Sequence, residues 1–64
     1  MKREILTLTD FLITYKSYSP GDAIETSERY MQGEFIPYYI ILDITDYNRY
    51  YNDSIFSPFY SVLL

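Results

Sequence analysis

The stretch SPGDAIETSERYMQG, residues 19–33, carries the clearest fold signal in the chain. Ser19 can accept a hydrogen bond as a helix N-cap, Pro20 suits the first helical position, and an acid follows three residues after the cap as in a capping box. Small and apolar side chains recur at spacings of three and four through the stretch, and Gly33 provides a helix stop. We therefore predict a helix from Pro20 to Gln32.

The segment before this helix, Glu4 to Tyr18, is rich in β-branched and aromatic residues, which favours a strand. Asp10 interrupts the pattern. Thr9 and Asp10 could instead cap a short helix that continues to Tyr15. A strand is the preferred interpretation of the segment, and a short helix is the alternative for its second half.

Two further strands are predicted after the helix. Residues 38–45 alternate so that apolar side chains cover both faces, as in a central strand. Residues 46–53 are polar and form a connection, and Pro58 precedes a last apolar strand over 59–64. The chain is too short for two cores, so we expect residues 1–64 to form a single domain. The predicted fold class is α+β, with a small and mainly antiparallel sheet of about three strands packed on one helix.

The composition limits the chemistry that the chain can perform. It has 64 residues, nine acids against five bases, a formal charge of −4, and no cysteine or histidine. The most common acid–base residue, the thiol nucleophile and the usual zinc ligands are therefore missing. Asp43, Asp46 and Asp53 also lack the spacing of a calcium loop. We predict a protein that is not an enzyme and holds no cofactor and no metal.

The same charge balance bears on partners and location. Binding to a phosphate backbone relies on Lys and Arg, so direct contact with nucleic acid is not expected, whereas a basic protein partner fits. No uncharged stretch, including residues 35–42 and 54–64, approaches the roughly 20 residues that a membrane helix needs. The N-terminus lacks an apolar run of signal-peptide length. We expect an unprocessed, soluble protein in the cytoplasm, or in the host cytoplasm if a phage encodes it.

The predicted helix carries a row of acids. Asp22, Glu25 and Glu28 are three residues apart and lie close to one ridge of a helix. An ordinary solvated face would look the same. The functional alternative is that the carboxylates, Glu25 and Glu28 in particular, imitate phosphates and occupy the basic groove of a nucleic-acid enzyme.

Nine tyrosines are the main compositional signal, and three of them fall in the predicted connection. Tyr47, Tyr50 and Tyr51 are interleaved there with Asp46 and Asp53. Some of these rings could cover the core, but a polar connection cannot easily bury all three. Exposed tyrosine beside carboxylate is typical of binding hot spots, so these five residues are predicted to contact a partner.

The segment Asn52-Asp53-Ser54-Ile55-Phe56 follows directly. It resembles the amide, acid, serine, isoleucine and apolar edge-strand motif of phage-type uracil-DNA glycosylase inhibitors, which are small acidic DNA mimics. The resemblance implies that Asn52, Asp53, Ser54 and Ile55 engage the enzyme's DNA-binding face. It also implies an apolar pocket on the inhibitor, which receives a side chain that normally probes DNA.

Such a pocket would lie between Ile24 and Met31 of the helix and Ile40 and Leu42 of the central strand, although the same residues would equally form a core. Tyr38 is predicted to be part of that core. The leading hypothesis is an acidic inhibitor that blocks the DNA-binding face of a nucleic-acid enzyme, with uracil-DNA glycosylase as the suspected target. The alternative is a homo-oligomeric structural module, for example a homodimer, that associates through tyrosines and an apolar edge strand.

Overall fold

The computed structural model describes the backbone of residues 5–63 and the side chains of residues 5–55. It contains three helices: α1 over Leu8–Lys16, α2 over Pro20–Gln32 and α3 over Tyr38–Leu63. No strand occurs in the described part of the chain. The predicted α+β fold is therefore wrong, and the chain is all-α over these residues.

Helix α1 replaces the predicted first strand. The Thr7 Oγ1 accepts a hydrogen bond from the Asp10 N–H at 3.2 Å, and Ser17 ends the helix in the left-handed region with φ of 61°. The alternative of a short helix in this segment was the better one, although the helix begins before Thr9 and is capped by Thr7. Glu4, at the start of the predicted strand, lies outside the described residues.

Helix α2 confirms the prediction from Pro20 to Gln32. The Ser19 Oγ accepts from the Asp22 N–H at 3.2 Å, as the capping pattern requires. At the other end Gly33 has φ of 76°, a conformation that glycine adopts without a Cβ clash. Its N–H donates to the Tyr30 carbonyl at 3.2 Å. The local signals at both ends were therefore sufficient to place this helix.

Helix α3 takes the place of both later strands and of the connection between them. It begins after Pro37, whose carbonyl accepts from the N–H groups of Ile40 and Ile41 at 3.0 Å each. Its 26 residues span about 39 Å at 1.5 Å per residue, close to the longest extent of the molecule, 41 Å. It also contains Pro58, which normally disrupts a helix interior. Residues 38–45, 46–53 and 59–63 are all helical, and Leu64 lies outside the described residues.

The short apolar run at 38–45 explains the error. An alternating run of this length is compatible with either a strand or a buried helix, and periodicity alone does not separate the two. In the structure Ile44 is buried, at 2% exposed, whereas Tyr38 is 74% exposed. The prediction that Tyr38 belongs to the core is therefore wrong.

Helix α1 forms the centre of the fold, since it packs against both α2 and α3. Its residues Phe11 and Leu12 are buried together with Ala23 of α2. A hydrogen bond of 2.8 Å from the Thr9 hydroxyl to the Ser27 hydroxyl adds a polar link between α1 and α2. Six partly buried side chains pack against this core: Leu6, Leu8, Ile13, Tyr18, Tyr47 and Tyr50.

In the described part of the chain, no helix has a window that is both long enough and apolar enough to cross a membrane.

Candidate protein-binding surfaces

Tyr47 and Tyr50 join the N-terminal segment to α3. The Tyr47 hydroxyl donates to the Leu6 carbonyl at 3.0 Å, and the Leu6 N–H donates to the Tyr50 hydroxyl oxygen at 2.9 Å. Both backbone polar groups of Leu6 are thus satisfied by phenols, which matters because an unpaired backbone group is costly in a partly buried position. Burial, reinforced by the hydroxyls of Tyr51 and Tyr50, raises the pKa of Tyr47.

The rings of these tyrosines pack around a single phenylalanine. Phe11 of α1 lies 5.1–5.3 Å, centroid to centroid, from Tyr15, Tyr47 and Tyr50. Offset or tilted contacts at this distance stabilise aromatic clusters. Tyr47 and Tyr50 therefore help to hold α1 on α3, while Tyr51 is 42% exposed. The segment is a helix rather than a polar connection, and it places Tyr47 and Tyr50 in the aromatic cluster and leaves Tyr51 at the surface.

A polar network joins the end of α1 to α3. The Lys16 ammonium donates to the Asp46 carboxylate at 2.7 Å and lies 3.9 Å from the carboxylate of Asp43. The Tyr18 hydroxyl donates to Asp43 at 2.8 Å. Asp43 and Asp46 are therefore already engaged within the chain, which leaves them less charge to offer a partner.

The pKa values of the network follow its contacts. The hydrogen bond from Lys16 lowers the pKa of Asp46, and the same bond raises the pKa of Lys16 against the opposing effect of burial. Burial, followed by the hydrogen bond to Asp43, raises the pKa of Tyr18 to about 12. Each shift favours the protonation state in which the network is intact near neutral pH.

The first open surface is the α1–α3 groove, with a volume of about 910 Å³. Its walls carry two bases, Lys16 and Arg49, and two acids, Asp46 and Asp53, so their formal charges cancel. Aromatic and small residues complete the lining: Leu6, Phe11, Thr14, Tyr15, Tyr50 and Ser54. A groove with balanced charge is poorly suited to imitate nucleic acid.

The Asn52–Ile55 motif lies on helix α3 beside this groove. Successive helical residues are rotated by about 100°, so four consecutive side chains point around most of the helix. Ser54 is buried at 5% exposed, whereas Asn52, Asp53 and Ile55 are exposed. The structure therefore brings Asp53 and Ser54 to the groove but spreads the motif over different faces, unlike an edge strand.

The acids of α2 lie on the surface, unlike the partly buried Asp43 and Asp46 of the polar network. Asp22, Glu25 and Glu28 are all exposed, as the predicted ridge requires. Glu25 accepts from the Arg29 guanidinium at 3.0 Å in an exposed i,i+4 pair. Among the described residues, no ion pair involves Asp22 or Glu28.

The second open surface is the α2–α3 groove, with a volume of about 500 Å³. It opens where α2 and the first turns of α3 face each other without packing directly, because both helices rest on α1. Three acids line it, Asp22, Glu25 and Asp43, against the single base Arg29. Its apolar and aromatic lining is formed by Tyr18, Ile36, Pro37, Tyr39 and Ile40.

Large exposed apolar side chains surround the junction of α2 and α3, and sequence reasoning missed this surface. Met31 is 83% exposed, Phe35 84%, Tyr38 74% and Tyr39 70%. The predicted pocket between Ile24, Met31, Ile40 and Leu42 is not formed, since Ile24 and Leu42 are about half exposed and only Ile40 lines the groove. The signal that could have located the surface is the pair of breakers, Gly33 and Pro37, around Phe35.

Comparisons with known proteins add no assignment to this geometry. The chain matches no protein-family model, and it has no significant match among curated proteins or among solved structures. Within residues 5–55, moreover, no three acidic side chains are grouped so that they could hold a metal ion. The function is therefore inferred from the surfaces themselves.

Proposed function

We propose that the chain is an acidic inhibitor that binds the DNA-binding face of a nucleic-acid enzyme in the cytoplasm. The observation that carries this proposal is the exposed acidic ridge of α2. Asp22, Glu25 and Glu28 present carboxylates at steps of about 4.5 Å along the helix axis. The phosphates of one DNA strand repeat at about 3.4 Å along its axis, a similar scale. A basic groove that binds one row of charges can therefore bind the other.

Uracil-DNA glycosylase is the first target to test, because the Asn52–Ile55 segment resembles the motif of its phage-type inhibitors. The helical setting of that segment shifts the expected contact toward the α2 ridge. In this proposal Glu25 and Glu28 contribute more to inhibition than Asp53 and Ser54. The chain acts by occupying the enzyme's surface and turns over no substrate.

The test is inhibition of uracil-DNA glycosylase by purified variants. Exposed ion pairs are worth about 0.2–1 kcal/mol each, so the double variant Glu25→Gln and Glu28→Gln should raise the inhibition constant by about 2- to 30-fold. The matched control, Asp10→Asn with Asp53→Asn, changes the net charge equally and should have a smaller effect. Equal effects of both pairs would contradict a role for the ridge, and lack of inhibition by the unaltered chain would remove this enzyme as the target.

A homo-oligomeric module is the second candidate, favoured by the exposure of Phe35, Tyr38 and Tyr39. Its edge-strand route is lost, since the described part of the chain has no strand, but aromatic self-association is still available. Sedimentation at two salt concentrations separates the candidates. An apolar homodimer should be nearly insensitive to salt, whereas association with a basic enzyme should weaken as salt screens the carboxylates.

A further inference from the structure

The α2–α3 groove has the size and lining of a binding site for a short chain segment. Ligand sites usually enclose about 300–1,000 Å³ and combine an apolar lining with a few polar groups. This groove encloses about 500 Å³, with Ile36, Pro37 and Ile40 on the apolar side. None of these three side chains is fully buried, so the groove can receive apolar atoms from outside.

Aromatic side chains continue the groove onto the open surface. Tyr39 lines the groove and is 70% exposed, and its neighbour Tyr38 is 74% exposed. Phe35, one residue before the groove residue Ile36, is 84% exposed. A large apolar patch that a protein leaves in water commonly marks an interaction surface, and tyrosine is enriched in the hot spots of such surfaces.

Charge determines what kind of segment fits. Asp22, Glu25 and Asp43 face the groove with one opposing base, Arg29, while the charges of the α1–α3 groove cancel. Arg29 already donates to Glu25, and Asp43 accepts from Tyr18 and lies 3.9 Å from Lys16. Asp22 is thus the groove acid without an ion pair among the described residues. Because the lining has three acids and one base, it complements a cationic occupant over a neutral or acidic one.

We infer that the α2–α3 groove binds a basic segment of the partner protein, with an apolar side chain seated against Ile36 and Ile40 and a Lys or Arg directed to Asp22 and Glu25. Exposed Tyr39 would cover the aliphatic part of that basic side chain or contact its cation through the ring face. The inference deepens the proposed function and rests on it for the basic character of the partner. It assigns recognition to this groove rather than to the Asn52–Ile55 motif.

A peptide titration followed by ¹⁵N–¹H NMR tests the inference directly. The probe is a short acetylated and amidated peptide of alternating arginine and leucine. Saturable shifts are expected at the amides of Tyr39 and Ile40. Shifts confined to Tyr50 and Ser54, or no saturable shift at all, would overturn the assignment to this groove.

Two control peptides separate the charge from the apolar contribution. Glutamine replaces every arginine in the first, and alanine replaces every leucine in the second. Both should bind more weakly than the probe, because the groove combines acids with an apolar lining. Equal binding of the glutamine peptide would overturn the charge argument, and equal binding of the alanine peptide would overturn the apolar seat.

Variants of the chain provide the matched test. Asp22→Asn with Glu25→Gln removes two groove charges, and Asp10→Asn with Asp53→Asn removes two charges elsewhere. The first double variant, called the groove pair, should weaken binding of the probe about 5-fold or more. The second, called the control pair, should weaken it by about 2-fold or less. Tyr39→Ala should likewise weaken binding more than Tyr51→Ala does. These side chains are exposed, so circular dichroism should show a folded chain in each case, and equal losses within either comparison would overturn the inference.

The same variants distinguish this inference from the proposed function. If the groove pair weakens the probe peptide while the unaltered chain inhibits no nucleic-acid enzyme, the groove assignment stands and the DNA-mimic function fails. If Glu28→Gln, which lies on the ridge but outside the groove lining, weakens inhibition of uracil-DNA glycosylase while Tyr39→Ala leaves it unchanged, the function stands and the groove assignment is overturned.

Discussion

Leu12→Ala tests whether α1 is the centre of the fold. The Leu12 side chain is 0% exposed and clusters with Phe11 and Ala23. Truncating a fully buried leucine costs about 2–5 kcal/mol, because its contacts are lost and a cavity remains. A chain of 64 residues is stable by only about 3–10 kcal/mol, at roughly 0.05–0.15 kcal/mol per residue. The variant should therefore lose a large fraction of the total stability.

Urea denaturation followed by far-ultraviolet circular dichroism measures this loss. At about 4–8 °C per kcal/mol for a small domain, a loss of about 3 kcal/mol should also lower Tm by roughly 12–24 °C. Leu42→Ala is the matched control, since it removes the same atoms from a side chain that is 48% exposed on α3. Its cost should be about 1 kcal/mol. Equal losses for the two variants would refute the placement of α1 between the other helices.

Three further changes, the last with a matched control, probe the polar network and the cap of α2. The folded state lowers the pKa of Asp46, so this carboxylate stabilises the fold above its unfolded pKa and the stabilisation is lost as the pH falls through the folded pKa. Lys16→Met should therefore reduce the loss of unfolding free energy at acid pH, measured by urea titration. An unchanged acid profile would count against the ion pair. The pKa of Tyr18 is raised from 10.0 to about 12, so the stabilisation from its protonated hydroxyl is fully present below pH 10.0 and is lost as the pH rises toward 12. Tyr18→Phe should reduce this alkaline loss of unfolding free energy. An identical alkaline profile would show that the hydroxyl is not engaged. Gly33 has φ of 76° with open space around it, so Gly33→Ala should cost about 1–2 kcal/mol through backbone strain alone. The control Gly21→Ala, in the first turn of α2, should be neutral or stabilising by up to about 1 kcal/mol. If both glycine variants lowered Tm equally in thermal melts, the assigned cap would be contradicted.

Local signals predicted α2 because its cap, first-turn proline and terminal glycine act within a few residues of one another. The α3 segment offered no such signal. Alternation through Tyr38, Ile40 and Leu42 resembles a strand, and Pro58 suggests an end. The contacts that favour the helix come from Lys16 and Phe11, which lie at least 30 residues earlier in the chain. The periodicity of the α3 segment alone does not predict such contacts.

The candidate site was also predictable only where local sequence signals determine it. The exposure of Glu25 and Glu28 follows from helical spacing alone, and the structure has both side chains exposed. The α2–α3 groove depends on how two helices rest on a third, so residues such as Ile36 and Tyr39 could not be grouped from the sequence. The hydrogen bonds of Tyr47 and Tyr50 to Leu6 likewise join positions more than 40 residues apart, so the sequence alone did not indicate them.

Competition with DNA tests the central claim most directly. Fluorescence anisotropy of a labelled duplex bound to uracil-DNA glycosylase reports whether the chain and the DNA occupy the same face. We predict that the unaltered chain displaces the duplex, that added salt weakens the displacement, and that Glu25→Gln with Glu28→Gln weakens it further. A chain that binds the enzyme while the duplex stays bound would contradict the claim that the acidic α2 ridge imitates DNA.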